Sequence, residues 1–152
     1  MNTNEAASAQ RRTKLRLSKA ERTELKGMFG GRCAYCGHPL GDRWHADHVK
    51  AVKRTLVFVR GKGVVHTGKL RRPANDCVEN LMPACAPCNI DKHARTLEQW
   101  RVKLQGAPGV LARNQPTYRH AVRFGLVQET QATVVFYFEQ LAASASIKEG
   151  GS

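Results

Sequence analysis

The sequence predicts an α+β domain in which short strands and capped helices are stapled by metal ligands rather than by a large apolar core. Three observations lead there. Two CxxC pairs, 33-CAYC-36 and 85-CAPC-88, stand 48 residues apart. Ser18 with Glu21 and Thr96 with Gln99 have the spacing of capping boxes, in which two side chains satisfy free backbone N–H groups at a helix start. Between them lie short runs rich in Val, Phe and Thr and bounded by glycine, the composition of strands.

Taken in order, residues 1–10 are small and polar and read as a disordered lead, while 11–19 (RRTKLRLSK) carry five positive charges in nine positions. Residues 1–17 are therefore expected to form a disordered basic arm, either a solvated tail or a contact for phosphates. The Ser18 box starts a helix over about 19–28, ended by Gly30-Gly31. After Pro39, 43-RWHADHVKAV-52 reads as a strand with Trp44, Val49 and Val52 as packing positions. A basic insertion follows at 53–75, with seven Lys or Arg in 23 positions, and 55-TLVFVRGKGVVHT-67 within it reads as a hairpin turning at Gly61–Gly63. Helices are expected from about Ala86 to Ala94 and from Thr96 to Leu104. Asn114 and Pro116 open another through Phe124, because proline suits a first helical turn, and Gly125 stops it. The segment 132-ATVVFYFE-139 reads as a last strand and 141–152 as a flexible tail, leaving a folded domain over 18–140 with its core at 32–104. There is no internal repeat.

Composition narrows the partners. With 152 residues, 41% apolar, the chain can bury one modest core. A net charge of +13 draws polyanions, nucleic acid first and an anionic membrane second. No apolar run approaches the roughly 18 residues that span a bilayer. The start, MNTNEAASAQRRTK, lacks the apolar core of a signal peptide. An intracellular protein without a membrane partner is expected, and in that compartment cysteines serve as ligands or free thiols more readily than as disulfides.

Cys33, Cys36, Cys85 and Cys88 form two knuckles, each offering two sulfurs close enough to share one ion, and zinc favours four thiolates in a tetrahedron. Four thiolates leave no open position, so this Zn²⁺ is expected to be structural. A redox CxxC would need a setting that is absent here. Cys77 is left over as a small interior or surface thiol.

A second site is written beside the first. Asp47 lies on the expected strand, and Asn89 and His93 follow the second knuckle four residues apart. If strand and helix pack together, a carboxylate, an amide and an imidazole converge, a donor set that suits Mg²⁺, Mn²⁺ or a later divalent ion such as Ni²⁺ and leaves room for water and phosphate. His48 is expected to point away from Asp47 on a regular strand, and an unligated imidazole beside a metal can act as general base. His45 is either a competing ligand, a donor behind the ligands, or a surface histidine. His38, His66 and His120 have no partner spacing.

The pattern CxYCG…DH…ENLxPAC..CNxxKH resembles the HNH endonucleases, whose catalytic unit is the ββα-metal fold; 42-DRWHADHV-49 and 92-KHARTLEQWR-101 look most like the small HNH proteins of tailed phages. The resemblance covers roughly Arg32 to Arg101 and more loosely 114–139. It implies a small ββα-metal core stapled by a four-cysteine zinc, with flanking helices and the basic hairpin inserted. It makes Asp47 the first metal ligand, His48 the general base and Asn89 the last ligand. Asn80, in 79-ENL-81, would pin the loop and orient the catalytic histidine. His93 falls where some members, notably the colicin nucleases, place an additional ligand. The implied activity is metal-dependent hydrolysis of double-stranded DNA, leaving 5′-phosphate and 3′-hydroxyl ends. The resemblance admits phage genome packaging, mobile-element homing or host-DNA attack, with the host cytoplasm as location if the chain is phage-encoded. A monomer is the simplest assembly, and nothing in the sequence fixes another.

DNA binding is expected through phosphates, from Arg11, Arg12, Lys14 and Arg16 in the arm, from Lys53, Arg54, Arg60, Lys62, Lys69, Arg71 and Arg72 in the insertion, and from Arg95 and Arg101. The rival reading is a zinc-stabilised DNA-binding module without catalysis, which accounts for charge and cysteines but gives no reason for Asp47, His48, Asn89 and His93 to occur together. A zinc-ribbon-like protein-interaction module leaves the charge unexplained.

Overall fold

A computed structural model describes residues 15–149. Helix α1 (Lys19–Gly27) starts at the Ser18–Glu21 capping box, both halves of which form. Strand β1 (Trp44–His48) pairs antiparallel with β4 (Leu81–Cys85), in register from Trp44 opposite Cys85 to His48 opposite Leu81. Helix α2 (Ala86–Lys92) follows β4 without a break, so β1, β4 and α2 make a ββα unit. Inserted between its strands is a separate ribbon, β2 (Arg54–Val59) with β3 (Gly63–Leu70). Helices α3 (Leu97–Gln105), α4 (Ala107–Asn114), α5 (Pro116–Arg123) and α6 (Tyr137–Glu149) complete the mixed α+β chain.

The strand expected to run to residue 52 stops at His48. Asn80 captures the next peptide on both sides, accepting from Lys50 N–H at 2.9 Å and donating to Lys50 C=O at 2.8 Å. With its ladder groups taken, the chain turns into the ribbon. Helix α4 is not among the elements the sequence predicts. It tolerates Pro108 because that residue sits in the first turn, where its missing N–H costs nothing.

Small size makes the core aromatic. Tyr35, Trp44, Trp100 and Phe136 are buried with Leu25, Cys33, Leu40, Leu81 and Ala84. Tyr35 meets Trp100 edge-on at 5.2 Å, and Trp100 stacks on Phe136 at 5.1 Å. Phe136 corrects the sequence reading: 132–139 is not a strand. Only two of its backbone N–H groups find the first knuckle, Tyr137 donating to Tyr35 C=O and Phe138 to Ala34 C=O. The Glu139 carboxylate then accepts from Phe136 N–H at 2.8 Å, which caps α6 and turns the β-branched run into a helix start. Helix α6 also occupies 141–149, much of the stretch expected to be a loose tail. Gly37 closes the first knuckle at φ +72°, where a Cβ would lie 2.9 Å from Tyr137 Cδ2, so glycine alone lets α6 pack there.

Candidate active site and metal centre

The four knuckle sulfurs all lie within 4.8 Å of one another, and among the described residues this is the one cluster of three or more His, Cys, Asp or Glu that can hold a metal ion. Cys36 Sγ and Cys85 Sγ are 3.8 Å apart, matching the edge of about 3.8 Å that a tetrahedron with Zn–S bonds of about 2.3 Å requires. The Cys33 thiol is pulled down to about 4, first by a hydrogen bond from the Cys88 thiol, with help from backbone N–H groups of Cys36, Cys85 and Tyr35. Cys88 is pushed up, first by that same bond, and Cys36 first by burial. Four sulfurs this close cannot all ionise alone; a divalent cation allows it. The donor set fits zinc.

One side of the ββα unit opens into a cleft of about 1030 Å³. Its walls include His45, Asp47, His48, Asn89 and His93, so β1 and α2 bring the sequence's second set of polar groups to one space. Asp47 is 7% exposed. Its Oδ2 accepts from Tyr35 O–H at 2.6 Å and pairs with Lys92 Nζ at 2.9 Å, while Oδ1 takes part in neither interaction. Burial, and then the Asp47 charge, push the Tyr35 hydroxyl far above its ordinary range, so it stays a donor.

Lys92, to which no sequence motif assigns a role, is 0% exposed. Besides Asp47 it donates to His48 C=O at 2.8 Å, so one ammonium ties the end of α2 to two consecutive residues of β1. A signal was present: Lys92 stands four residues after Cys88, on the same face of the helix. Lys92→Ala is expected to destabilise the fold by about 3–5 kcal/mol, because it strands a buried carboxylate. Asp47→Asn in the same background is expected to recover part of that loss. Urea unfolding of the single and double variants checks this, and strictly additive losses would remove the pair from the account.

His48 is also held from outside the motif. Its Nε2 lies 2.8 Å from Asp76 Oδ1, and Asp76 Oδ2 accepts from Leu15 N–H at 3.0 Å. An ionised carboxylate only accepts, so Nε2 carries the hydrogen and, in the neutral ring, Nδ1 carries the lone pair. Asp76 lies 28 residues away with the whole ribbon between, and no spacing rule reaches it. Asn80 donates to Asn75 C=O at 2.8 Å, and Val49 N–H donates to Asn80 C=O at 2.9 Å, which fixes the turn after His48.

His93 is not on the helix. It is the C-cap of α2 at φ +51°, exposed and one residue past the last turn, and it still lines the cleft. His45 is exposed at the cleft rim. Arg22, unremarkable in the sequence, lies with its guanidinium 4.3 Å over the Trp44 ring and joins the cleft wall.

The basic residues divide. Lys53, Arg54 and Arg71 line the cleft. Arg60, Lys62, Lys69 and Arg72 are exposed on or beside the ribbon, as is Arg16 before α1. Arg11, Arg12 and Lys14 lie outside the described residues. Arg95 donates to Asp91 C=O. Arg101 has an internal role: it pairs with Glu98 and Glu139, donates to Val134 C=O and lies over the Phe136 ring at 4.6 Å. Those hydrogen bonds, Glu139 first, raise its pKa further.

No family model and no solved structure matches the chain. Among curated proteins it is similar to one of Bacillus subtilis (strain 168) named "SPbeta prophage-derived putative HNH endonuclease YoqL", at 33% identity over 79 residues. The match covers 51% of this chain and 30% of the relative, so the matched segment spans under a third of that protein's length.

Proposed function

We propose that this chain is a metal-dependent DNA endonuclease of the HNH type, most like the small phage members, with His48 as general base and one divalent ion. The observation that carries the reading is His48, fixed by Asp76 and opening on the same cleft as Asp47, Asn89 and His93. The partial likeness to a prophage-derived relative named for this activity supports it.

His48 Nδ1 takes the proton from the attacking water, while Asp76 holds the ring and steadies the imidazolium that forms. Asp47, Asn89 and His93 would hold the divalent ion; a carboxylate, an amide and an imidazole opening on one cleft fit Mg²⁺ or Mn²⁺, with Ni²⁺ also served by the imidazole. When bound, the ion supplies charge neutralisation at the phosphate and stabilises the departing 3′ oxygen. Lys92 and Tyr35 hold the Asp47 carboxylate in place through its Oδ2. A zinc on Cys33, Cys36, Cys85 and Cys88 would be structural, tying the first knuckle to the junction of β4 and α2. Nicking of supercoiled plasmid across Mg²⁺, Mn²⁺, Ni²⁺ and EDTA tests the reading, and cleavage that persists in EDTA would overturn it.

Binding is expected to rest on phosphates. The arm expected as residues 1–17 is in fact packed from Leu15 on: Leu15 and Leu17 sit against the core and line the cleft. Removing residues 1–14 therefore tests the arm without disturbing the Leu15–Asp76 hydrogen bond. It deletes Arg11, Arg12 and Lys14. The slope of log K against log salt is expected to fall by about 0.9 for every phosphate the shortened chain no longer engages. A titration series at several salt concentrations measures this; an unchanged slope would make the arm a solvated tail.

A further inference from the structure

The β2–β3 ribbon is apolar on both faces, and one of them leaves its large side chains the more exposed. Leu56 stands opposite His66 and Phe58 opposite Val64, so these four share one face. Leu56 and His66 line the cleft. Continuing outward along that face, Leu56 is 51%, Val64 64% and Phe58 77% exposed, against 42% for Val57 and 37% for Val59 on the other. Around this stripe, every charged residue from 53 to 72 is positive: Lys53, Arg54, Arg60, Lys62, Lys69, Arg71 and Arg72.

We infer that this face is a groove-inserting element for double-stranded DNA, with Phe58 and Val64 packing on the bases and Arg60 and Lys62 at the turn gripping phosphates. The inference rests on the nuclease reading for its ligand and adds apolar contact to a surface otherwise understood as charge alone. A two-stranded ribbon fits a duplex groove, and apolar side chains presented there meet thymine methyls or wedge between base steps. Charge selects the occupant. A second copy would bring the same positive ribbon against this one, whereas DNA answers both the charge and the continuity with the cleft. At about 3.3 Å per residue, Phe58 lies about 7 Å beyond Leu56, or about two base pairs further along DNA seated in the cleft.

The test uses the full chain carrying His48→Ala, without divalent ions other than zinc, on a short duplex containing 2-aminopurine. Phe58→Ala is expected to weaken binding about 10-fold and to abolish any brightening of the probe, with the salt slope unchanged because no charge is removed. Phe58→Trp is expected to restore both. Arg60→Ala and Lys62→Ala are expected to lower the slope by about 0.9 each. Because Phe58 is exposed, these changes spare the fold. Equal DNA affinity for Phe58→Ala would overturn the proposal. So would a Phe58-dependent change confined to oligomeric state, by light scattering, or to binding of anionic vesicles. Failure of the wild-type chain to nick DNA, with the Phe58 effect present, would sink the nuclease reading and leave the ribbon standing.

Discussion

His48→Ala is expected to abolish plasmid nicking while zinc content, fold and DNA affinity stay near wild type. A general base contributes in the transition state and little to the bound ground state, and losing one typically costs about 10²–10⁴-fold. The structure makes the expectation sharper. The His48 side chain is hydrogen-bonded to Asp76 but takes no part in the buried Asp47–Tyr35–Lys92 group, and Lys92 reaches His48 only at its backbone. Truncation therefore leaves the Lys92 tie intact. Asp76→Asn is expected to fall between, at about 10–100-fold slower, the cost of losing a group that orients a working side chain. Asp47→Ala and Asn89→Ala are expected to stop cleavage through the ion, so high Mn²⁺ restores some activity to them and none to His48→Ala. His93→Ala is expected to shift preference toward Mg²⁺, because an imidazole donor favours the later metals. Near-normal nicking by His48→Ala would remove this mechanism altogether.

The second large effect concerns the knuckles. Cys33→Ser or Cys88→Ser is expected to cost several kcal/mol or to prevent folding, since the free energy of structural zinc binding is folding free energy. Cys33 is fully buried in the core beside Tyr35, and the same knuckle backbone receives the start of α6 from Tyr137 and Phe138. Loss of the ion is therefore expected to release both the β4–α2 junction and the aromatic core. Cys77→Ser, at a half-buried residue outside the cluster, is expected to be nearly silent. Elemental analysis of protein purified without chelators, with thermal melts before and after chelation, checks both halves. One zinc per chain is expected; none would sink the prediction.

Much of this molecule is local and open to a reader of the chain. The capping boxes at Ser18 and Thr96, the ribbon turn at Gly61–Gly63 and each CxxC knuckle depend on residues close together in sequence. Their chemistry is written in nearby letters. The run at 132–139 misleads because its β-branched residues favour a strand only where a partner edge continues. Here the knuckle offers two acceptors before Glu139 caps a helix.

By itself the sequence determined the four-cysteine cluster, the basic ribbon and the gathering of Asp47, His48, Asn89 and His93 on one cleft, because residue type and short spacing carry that information. Only the tertiary structure decided that Lys92 neutralises Asp47, that Asp76 holds His48, and that Arg101 serves the core. Lys92 lies 45 positions after Asp47, Asp76 lies 28 after His48, and Arg101 lies 38 before Glu139. Over such distances no periodicity links the partners. What joins them is the requirement that a buried charge find its opposite once the chain has closed around it.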